Sequence, residues 1–371
     1  MAELLGRCVH GLEWVGADEI TRVPGASGVR LARREVAFRV PAVDPALLGL
    51  RTVDDVFLQI GGGTGATPDA IADALRHLPW EDRVDDISAL RAVPRAPVVD
   101  VVAAVEGHRF SRFAVEHAVG PPLAARLGGS YLRRTNEGRE PGEPDLTVRV
   151  SVRDGAVTAA VRLAARPLHR RGWKQDTGKG TLHPPLAAAL ARIASPEPGR
   201  SVRDPFCGDG TIAIETALAF PAARVSGQDL DPGRLDNAAR NAARAGVSVT
   251  FARADAGSPA ARADAVITNP PWNLAVDGAG ALRNGLGPLW RRLPDLLAPQ
   301  GRFVAVTDAS LEAPTALTRA GVALGLTARV RLAGRVSDVV LAATTRPELP
   351  EPLRAWRERA IAAGVVTADG F

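Results

Sequence analysis

Two stretches of the chain carry side chains suited to handling a charged organic ligand. The first is Ser201-Val202-Arg203-Asp204-Pro205-Phe206-Cys207-Gly208-Asp209-Gly210-Thr211, followed by the helical pattern IAIETALAF. It reads as a short strand ending at Asp204, then a glycine turn that lets backbone approach a ligand, then a helix whose first amides point at it. The turn lacks the Gly-x-Gly-x-x-Gly spacing of pyrophosphate binders and carries an acid instead, which suits an ammonium group better than a phosphate. Asp229 ends the next predicted strand, 21 residues after Gly208, near the interval at which a carboxylate accepts two ribose hydroxyls. Asp255 follows a third predicted strand at the same sheet edge, placed for an adenine amine. Each acid alone also reads as a turn former or helix cap. Three at successive strand ends point to adenosine joined to an amino acid, S-adenosylmethionine. The expected cofactor set is Asp204, Phe206, Gly208, Gly210, Thr211, Asp229, Leu230, Asp255 and Ala256.

The second stretch is Thr268-Asn269-Pro270-Pro271-Trp272, at the end of a fourth predicted strand. Two prolines set the backbone and remove its N–H donors, leaving carbonyls to meet a ligand. The Asn269 amide oxygen and the Pro270 carbonyl together offer two acceptors to a substrate NH2, aiming the nitrogen lone pair at a methyl sulfonium. Trp272 supplies a flat face for a base lifted out of its helix. Such chemistry needs no metal and no covalent intermediate. Read in isolation, the same residues make a tight Pro-Pro turn with a packed Trp.

The elements that must position these residues are legible in outline. A length of 371 residues implies two or three domains, and 46% hydrophobic with 23% charged residues suffices for a sizeable core. Only Cys8 and Cys207 are present, outside any C-x-x-C spacing, so neither a disulfide framework nor a thiolate metal site is expected. No run of about 18 apolar residues occurs and the opening residues do not resemble a signal peptide, so the reading is a cytoplasmic protein. A strand–helix–strand pattern opens the chain. Gly61-Gly62-Gly63-Thr64-Gly65 reads either as a phosphate-cradling turn or as a flexible linker. Residues 97–165 alternate strands and helix, with Arg153-Asp154-Gly155 as a hairpin turn. From Pro184 to about Thr345, strands alternate with helices at the spacing of a parallel, doubly wound sheet. The terminal 347–371 is proline-punctuated, then helical.

The net charge of +5 is concentrated near the middle. Arg166, Arg170, Arg171, Lys174 and Lys179 face one acid, Asp176, with Trp173 among them. This junction reads as phosphate contacts with a stacking ring, or as a solvated linker. Arg133, Arg134 and Arg139 form a second possible phosphate patch. His169 and His183 fit no triad or metal spacing and read as structural or RNA contacts, and Cys207 as packing within its turn.

Taken together, DPFCGDGT, TNPPW and RPLHRRGW resemble the cofactor loop, Asn-Pro-Pro-aromatic loop and domain junction of the THUMP-domain RNA methyltransferases, class I enzymes that methylate the exocyclic N2 amine of guanosine. VHGLEWVGADEI resembles that family's opening ferredoxin-like helix, and PDLTVRVSVRDGAVTAAVRL its closing THUMP strands. The resemblance implies an α/β chain with a ferredoxin-like unit at 1–60, a THUMP RNA-binding domain at 61–165, a basic linker at 166–183, a Rossmann-like methyltransferase domain at 184–346 and a tail at 347–371. It implies S-adenosylmethionine as cofactor and Asn269, Pro270, Pro271 and Trp272 at the target base, and the charge pattern adds Arg133, Arg134, Arg166, Arg170, Arg171, Trp173 and Lys174 toward RNA. Transfer RNA is the favoured partner. Ribosomal RNA guanine, adenine N6 and a non-catalytic RNA-binding protein are the alternatives. Two departures from the family pattern, Trp272 in place of the usual Tyr and Asn273 in place of Gly, bear on which base fits.

Overall fold

Runs of Val and Leu at alternate positions, punctuated by glycine turns and capped helices, build two sheets. The computed structural model describes the chain apart from residues 136, 137, 140, 141, 259, 260, 273–279, 333 and 369–371, and the side chains at 139, 281 and 332. The first half comprises β1 (Ala2–Cys8), α1 (Glu13–Ile20), β2 (Ser27–Ala32), β3 (Glu35–Val40), β4 (Val53–Thr64), α2 (Pro68–Arg76), α3 (Trp80–Ser88) and β5 (Val98–Glu106). It continues with α4 (Arg112–Arg126), the short β6 (Ser130–Tyr131), β7 (Arg134–Thr135) and β8 (Gly138–Arg139), then β9 (Leu146–Arg153) and β10 (Ala156–Arg162).

These strands form one sheet in the order β2-β3-β1-β4-β10-β9-β5-β6, with β7 and β8 paired separately. The boundary expected between residues 60 and 61 is therefore corrected. β4 crosses it, pairing with β1 through Leu4 opposite Leu58 and with β10 through Val157 opposite Gly63. Gly61 to Gly63 are strand residues, neither a linker nor a phosphate turn. A Cβ on Gly62 would stand 2.3 Å from the Val157 carbonyl oxygen, so glycine here admits a close strand neighbour. The expected hairpin at Arg153-Asp154-Gly155 joins β9 to β10, with positive φ at Asp154 (49°) and Gly155 (80°), as a two-residue primed turn requires.

The second half comprises α5 (Pro184–Ala194), β11 (Ser201–Asp204), α6 (Thr211–Ala219), β12 (Arg224–Asp229), α7 (Pro232–Ala245), β13 (Thr250–Arg253) and β14 (Ala263–Thr268). It ends with α8 (Gly287–Leu296), β15 (Leu297–Asp308), α9 (Ala313–Arg319), β16 (Ala323–Leu332), β17 (Arg335–Ala343) and α10 (Glu351–Ala362). Its sheet runs β13-β12-β11-β14-β15-β17-β16, with β17 alone reversed, antiparallel to both β15 and β16, a Rossmann-like arrangement. The chain reverses its direction across the sheet between β11 and β14, so loops leaving the carboxyl ends of these neighbours part and open a crevice.

The two halves share a core. α5 is buried along nearly its whole length, and Leu186, Leu190 and Ile193 belong to one apolar cluster with Val202, Ile267 and Val304 of the second sheet and Leu4, Trp14 and Val36 of the first. Helix α10 packs on α1, bringing Leu353 and Trp356 into that cluster, so the expected tail at 347–371 contributes a covering helix to the opening unit. Trp290, Phe303 and Leu317 fill the other face of the second sheet. Among the described residues no helix is long and apolar enough to cross a membrane.

Candidate active site

Strands β11, β12 and β14 end at Asp204, Asp229 and Thr268 on one edge of the sheet, with Asp255 two residues beyond β13. A cavity of about 580 Å³ lies there, a size that accommodates a nucleoside-sized ligand. Asp204, Phe206, Gly208, Thr211, Asp229, Leu230, Asp255 and Ala256 from the first stretch line it. So do Asn269, Pro270, Pro271 and Trp272 from the second. Gly210 does not. It sits at the N-cap of α6 with φ +83°, turning the loop into the helix.

The acids are held by the turns they belong to. The Gly208 amide donates to Asp229 Oδ2 (2.9 Å) and the Asp231 amide to Asp229 Oδ1 (3.0 Å). Each carboxylate oxygen keeps a second lone pair for a diol. Gly208 has φ +50°, in the left-handed region that favours glycine, and a Cβ there would displace the Arg234 guanidinium, 2.6 Å away. Asp204 is buried, and its Oδ1 accepts from the Phe206 amide (3.1 Å) and from Thr268 Oγ1 (2.8 Å). That second bond ties the end of β11 to the residue preceding Asn269. Burial pushes the Asp204 carboxyl up to about 7, against the two hydrogen bonds and with help from Asp229. A cation placed beside it would favour the ionised form again. Asp255 Oδ1 accepts from the Gly257 amide (2.7 Å), and Asp209 is turned away into bonds with Gly178, Asn237 and Arg234. Cys207 is buried beneath the loop, and burial raises its thiol far above the ordinary range, in keeping with a packing role. The acids, the glycine turn and the cavity volume fit an adenosine-plus-amino-acid cofactor.

On the other wall, Asn269 Oδ1 is buried and has no hydrogen-bond partner among the described residues. Pro270 is buried, and Trp272 lies half-buried against the shared core with its Nε1 also unpartnered among the described residues. Asn273 lies outside the described residues.

The expected RNA-contacting residues divide, and several are corrected. Trp173 is buried against Ile214 and Ala242, inside the protein rather than on a stacking face. Arg171 pairs with the buried Glu215 (Nε to Oε1, 2.8 Å) and donates to the carbonyls of Leu168 and Arg51. Arg51 reaches the same Glu215 (2.6 Å), so this cluster joins the first half, the junction and α6. Lys174 donates to the Leu182 carbonyl, and burial lowers its ammonium to about 8, against the fields of Asp209 and Glu215. Arg134 holds the buried Asp100 through two nitrogens (2.7 and 2.5 Å). Arg133 is exposed and approaches His117 (3.4 Å). The side chain of Arg139 lies outside the described part. Arg166 and Arg170 remain on the surface.

Residues that no local motif signalled also reach the cavity: Leu182 and His183 before α5, Arg234 on α7, and Arg335 and Ser337 on β17. His183 Nε2 bonds Asp54 Oδ1 of β4 (2.6 Å), a link between residues 129 apart in sequence. Only the fold brings these together. Among the described residues no cluster of three or more His, Cys, Asp or Glu is placed to hold a metal ion.

Residues 171–337 match the family model described as UPF0020: RMKL-like, methyltransferase domain. A tRNA (guanine(6)-N2)-methyltransferase of Thermus thermophilus is 32% identical over 309 residues, covering 80% of this chain and 86% of that protein. The chain belongs to the RMKL-like methyltransferase family. It is a class I, S-adenosylmethionine-dependent enzyme. Its structure is similar to the crystal structure of TrmN from Thermus thermophilus, with a TM-score of 0.74 at 29% identity, covering 93% of this chain and all of that one. The Ribosomal RNA large subunit methyltransferase K/L of Magnetococcus marinus is 31% identical over 232 residues, which are 61% of this chain and 30% of that longer protein.

Proposed function

We propose that the enzyme methylates the exocyclic N2 amine of a guanosine in structured RNA, with transfer RNA as substrate, in the cytoplasm. The observation that carries this reading is Asn269 Oδ1, a buried acceptor at the cavity wall without a partner among the described residues. Leaving such an oxygen unmet costs roughly 1–3 kcal/mol, which an incoming N–H recovers. Asn269 Oδ1 and the Pro270 carbonyl accept the two amine hydrogens, holding the nitrogen so that its lone pair is directed along one line. When bound, S-adenosylmethionine supplies a methyl group on a sulfonium that a neutral amine can attack. Asp229 accepts from the ribose hydroxyls, Asp255 faces the adenine amine, and Asp204 receives the ammonium of the amino-acid portion. Phe206, Gly208, Thr211, Leu230 and Ala256 shape the cofactor bed, with Gly210 setting the helix behind it. Pro271 keeps the loop rigid and Trp272 stacks on the target base.

The first 165 residues act as a ferredoxin-like and THUMP-type RNA holder within one sheet, and Arg133, Arg166 and Arg170 are the exposed cations that touch phosphate. The names of both curated relatives support an RNA substrate, and the one covering more of this chain supports guanine N2 in tRNA. The test is to incubate the protein with labelled S-adenosylmethionine and total RNA and to digest the RNA to nucleosides. Labelled N2-methylguanosine from the tRNA fraction is expected. Label only in methyladenosine would overturn the choice of base, and label only in ribosomal RNA the choice of partner.

A further inference from the structure

Strand order divides the cavity into two sides. The residues assigned to the cofactor leave β11, β12 and β13, whereas Asn269 leaves β14 and the sheet then continues through β15 to β17. β17 runs antiparallel to β15 with Asp308 opposite Ser337, so its first residues stand at the same edge as the strand ends that carry the acids. Arg335 and Ser337 line the cavity from there. Three Lys or Arg residues line it among the described residues: Lys179, Arg234 and Arg335. Arg234 is committed to Asp209 Oδ1 (2.9 Å) and to the Lys179 carbonyl (2.9 Å). Lys179 lies in the segment that Arg234 grips, on the cofactor side. Arg335 is the cation on the far side of Asn269.

Its side chain is 55% exposed, and among the described residues the carboxylate it pairs with, Asp308 Oδ2, is 3.9 Å away, at the outer limit of an ion pair. A surface pair of that length holds the guanidinium weakly. Around it the cavity is rich in acids: Asp204, Asp229, Asp231 and Asp255, with Asp209 already paired to Arg234. A polyanion approaching such a wall is repelled unless a cation meets its backbone first. We propose that Arg335 binds a phosphate beside the target nucleotide and thereby seats the base against Asn269. A guanidinium suits this task because its planar fork matches two phosphate oxygens. The inference rests on the RNA reading above and adds to it a specific anchor on the substrate side.

The test is binding of unfractionated tRNA between 50 and 200 mM salt in the presence of S-adenosylhomocysteine. Arg335→Gln, Arg335→Lys and Arg319→Gln are compared with the parent, the last being an exposed arginine on α9 outside the cavity. Arg335→Gln is expected to weaken binding about tenfold and to lower the slope of log K against log salt by about 0.9, the signature of one lost phosphate contact. Arg335→Lys should recover part of the affinity, and calorimetry should find cofactor affinity unchanged. Unaltered RNA affinity and slope for Arg335→Gln overturns the proposal, as does an equal loss for Arg319→Gln. Weakened cofactor binding would place Arg335 on the other side of the cavity and also overturn it. The methylated nucleoside formed by the parent enzyme reports separately on the choice of base, and a parent that binds no RNA overturns both readings.

Discussion

The junction at residues 166–183 and the cavity at the sheet edge are both dense in polar groups, yet they are built oppositely. At the junction the charges of Arg171 and Lys174 are consumed by the protein itself: Glu215 is fully buried between Arg51 and Arg171, and Lys174 donates to the Leu182 carbonyl. At the cavity, Asn269 Oδ1 is left without a partner among the described residues, and Asp204 is held where ionisation is unfavourable. Unpartnered atoms occur at the junction too, such as Trp173 Nε1, but Trp173 packs with Ile214 and Ala242 and does not line the cavity. Charge density is therefore a poor guide to a ligand site. What distinguishes a strut from a site is whether the polar atoms have already found partners, because an unmet buried group is a standing free-energy cost that only a ligand or water relieves.

The sharpest way to break this contrast is to disable the strut. Glu215→Ala leaves two arginines unpaired around a buried position and is expected to cost about 3–5 kcal/mol in urea unfolding. Loss of RNA affinity with unchanged stability would instead make the junction a binding surface. On the cavity side, Asn269→Ala should lower kcat by about 100- to 1000-fold, equivalent to roughly 3–4 kcal/mol, with cofactor affinity nearly unchanged in calorimetry. Unchanged turnover would remove the proposed role.

Asp204 offers a pH test of the same contrast. Its carboxyl rises from 3.8 to about 7 on folding, so the native state holds the proton more tightly than the unfolded chain. Stability from this group is fully present below about pH 4 and is lost as pH rises through 7. Asp204→Asn keeps an oxygen acceptor for Thr268 and Phe206 but cannot ionise. Its stability relative to the parent should improve between pH 5 and pH 8 by roughly 2 kcal/mol. A pH-independent difference between the two proteins contradicts the burial argument. Smaller still, Asp229→Ala should weaken cofactor binding at least tenfold, about 1.4 kcal/mol, by removing charge-assisted acceptors for the diol. Equal affinity would remove that assignment. The least effect is expected for Arg170→Ala, a few-fold loss in tRNA affinity at 100 mM salt, because a solvated cation contributes one screened contact. A loss as large as that of Asn269→Ala in turnover would move Arg170 into the reaction itself.

The cofactor loop and the Asn-Pro-Pro-Trp loop were legible because both are local. Glycine, proline and acid at fixed offsets from a strand end act within a few residues, so their geometry is written where they stand. The same holds for the Arg153-Asp154-Gly155 hairpin. The three glycines at 61–63 misled because nothing local tells a turn glycine from a strand glycine admitting a close neighbour. The evidence for the latter is β10, almost 100 residues later. Trp173 and Arg171 misled for a related reason: a basic, aromatic segment binds RNA or fills a gap depending on what packs over it, and α6 does so here. His183 with Asp54, and Arg335, carry no signal in their own neighbourhoods.

From the order of residues alone came the class of sheet and the two loops, after β11 and after β14, to which cofactor and amine binding are here proposed, each specified by short-range backbone preferences and the spacing of acids after strands. Three-dimensional packing decided that the first 165 residues share one main sheet, that Arg171, Trp173 and Lys174 of the junction turn inward, and that Arg335 reaches the cavity. These are outcomes of which distant strands pair and which charges desolvate together, and such energies depend on contacts between segments rather than on the composition of any one of them.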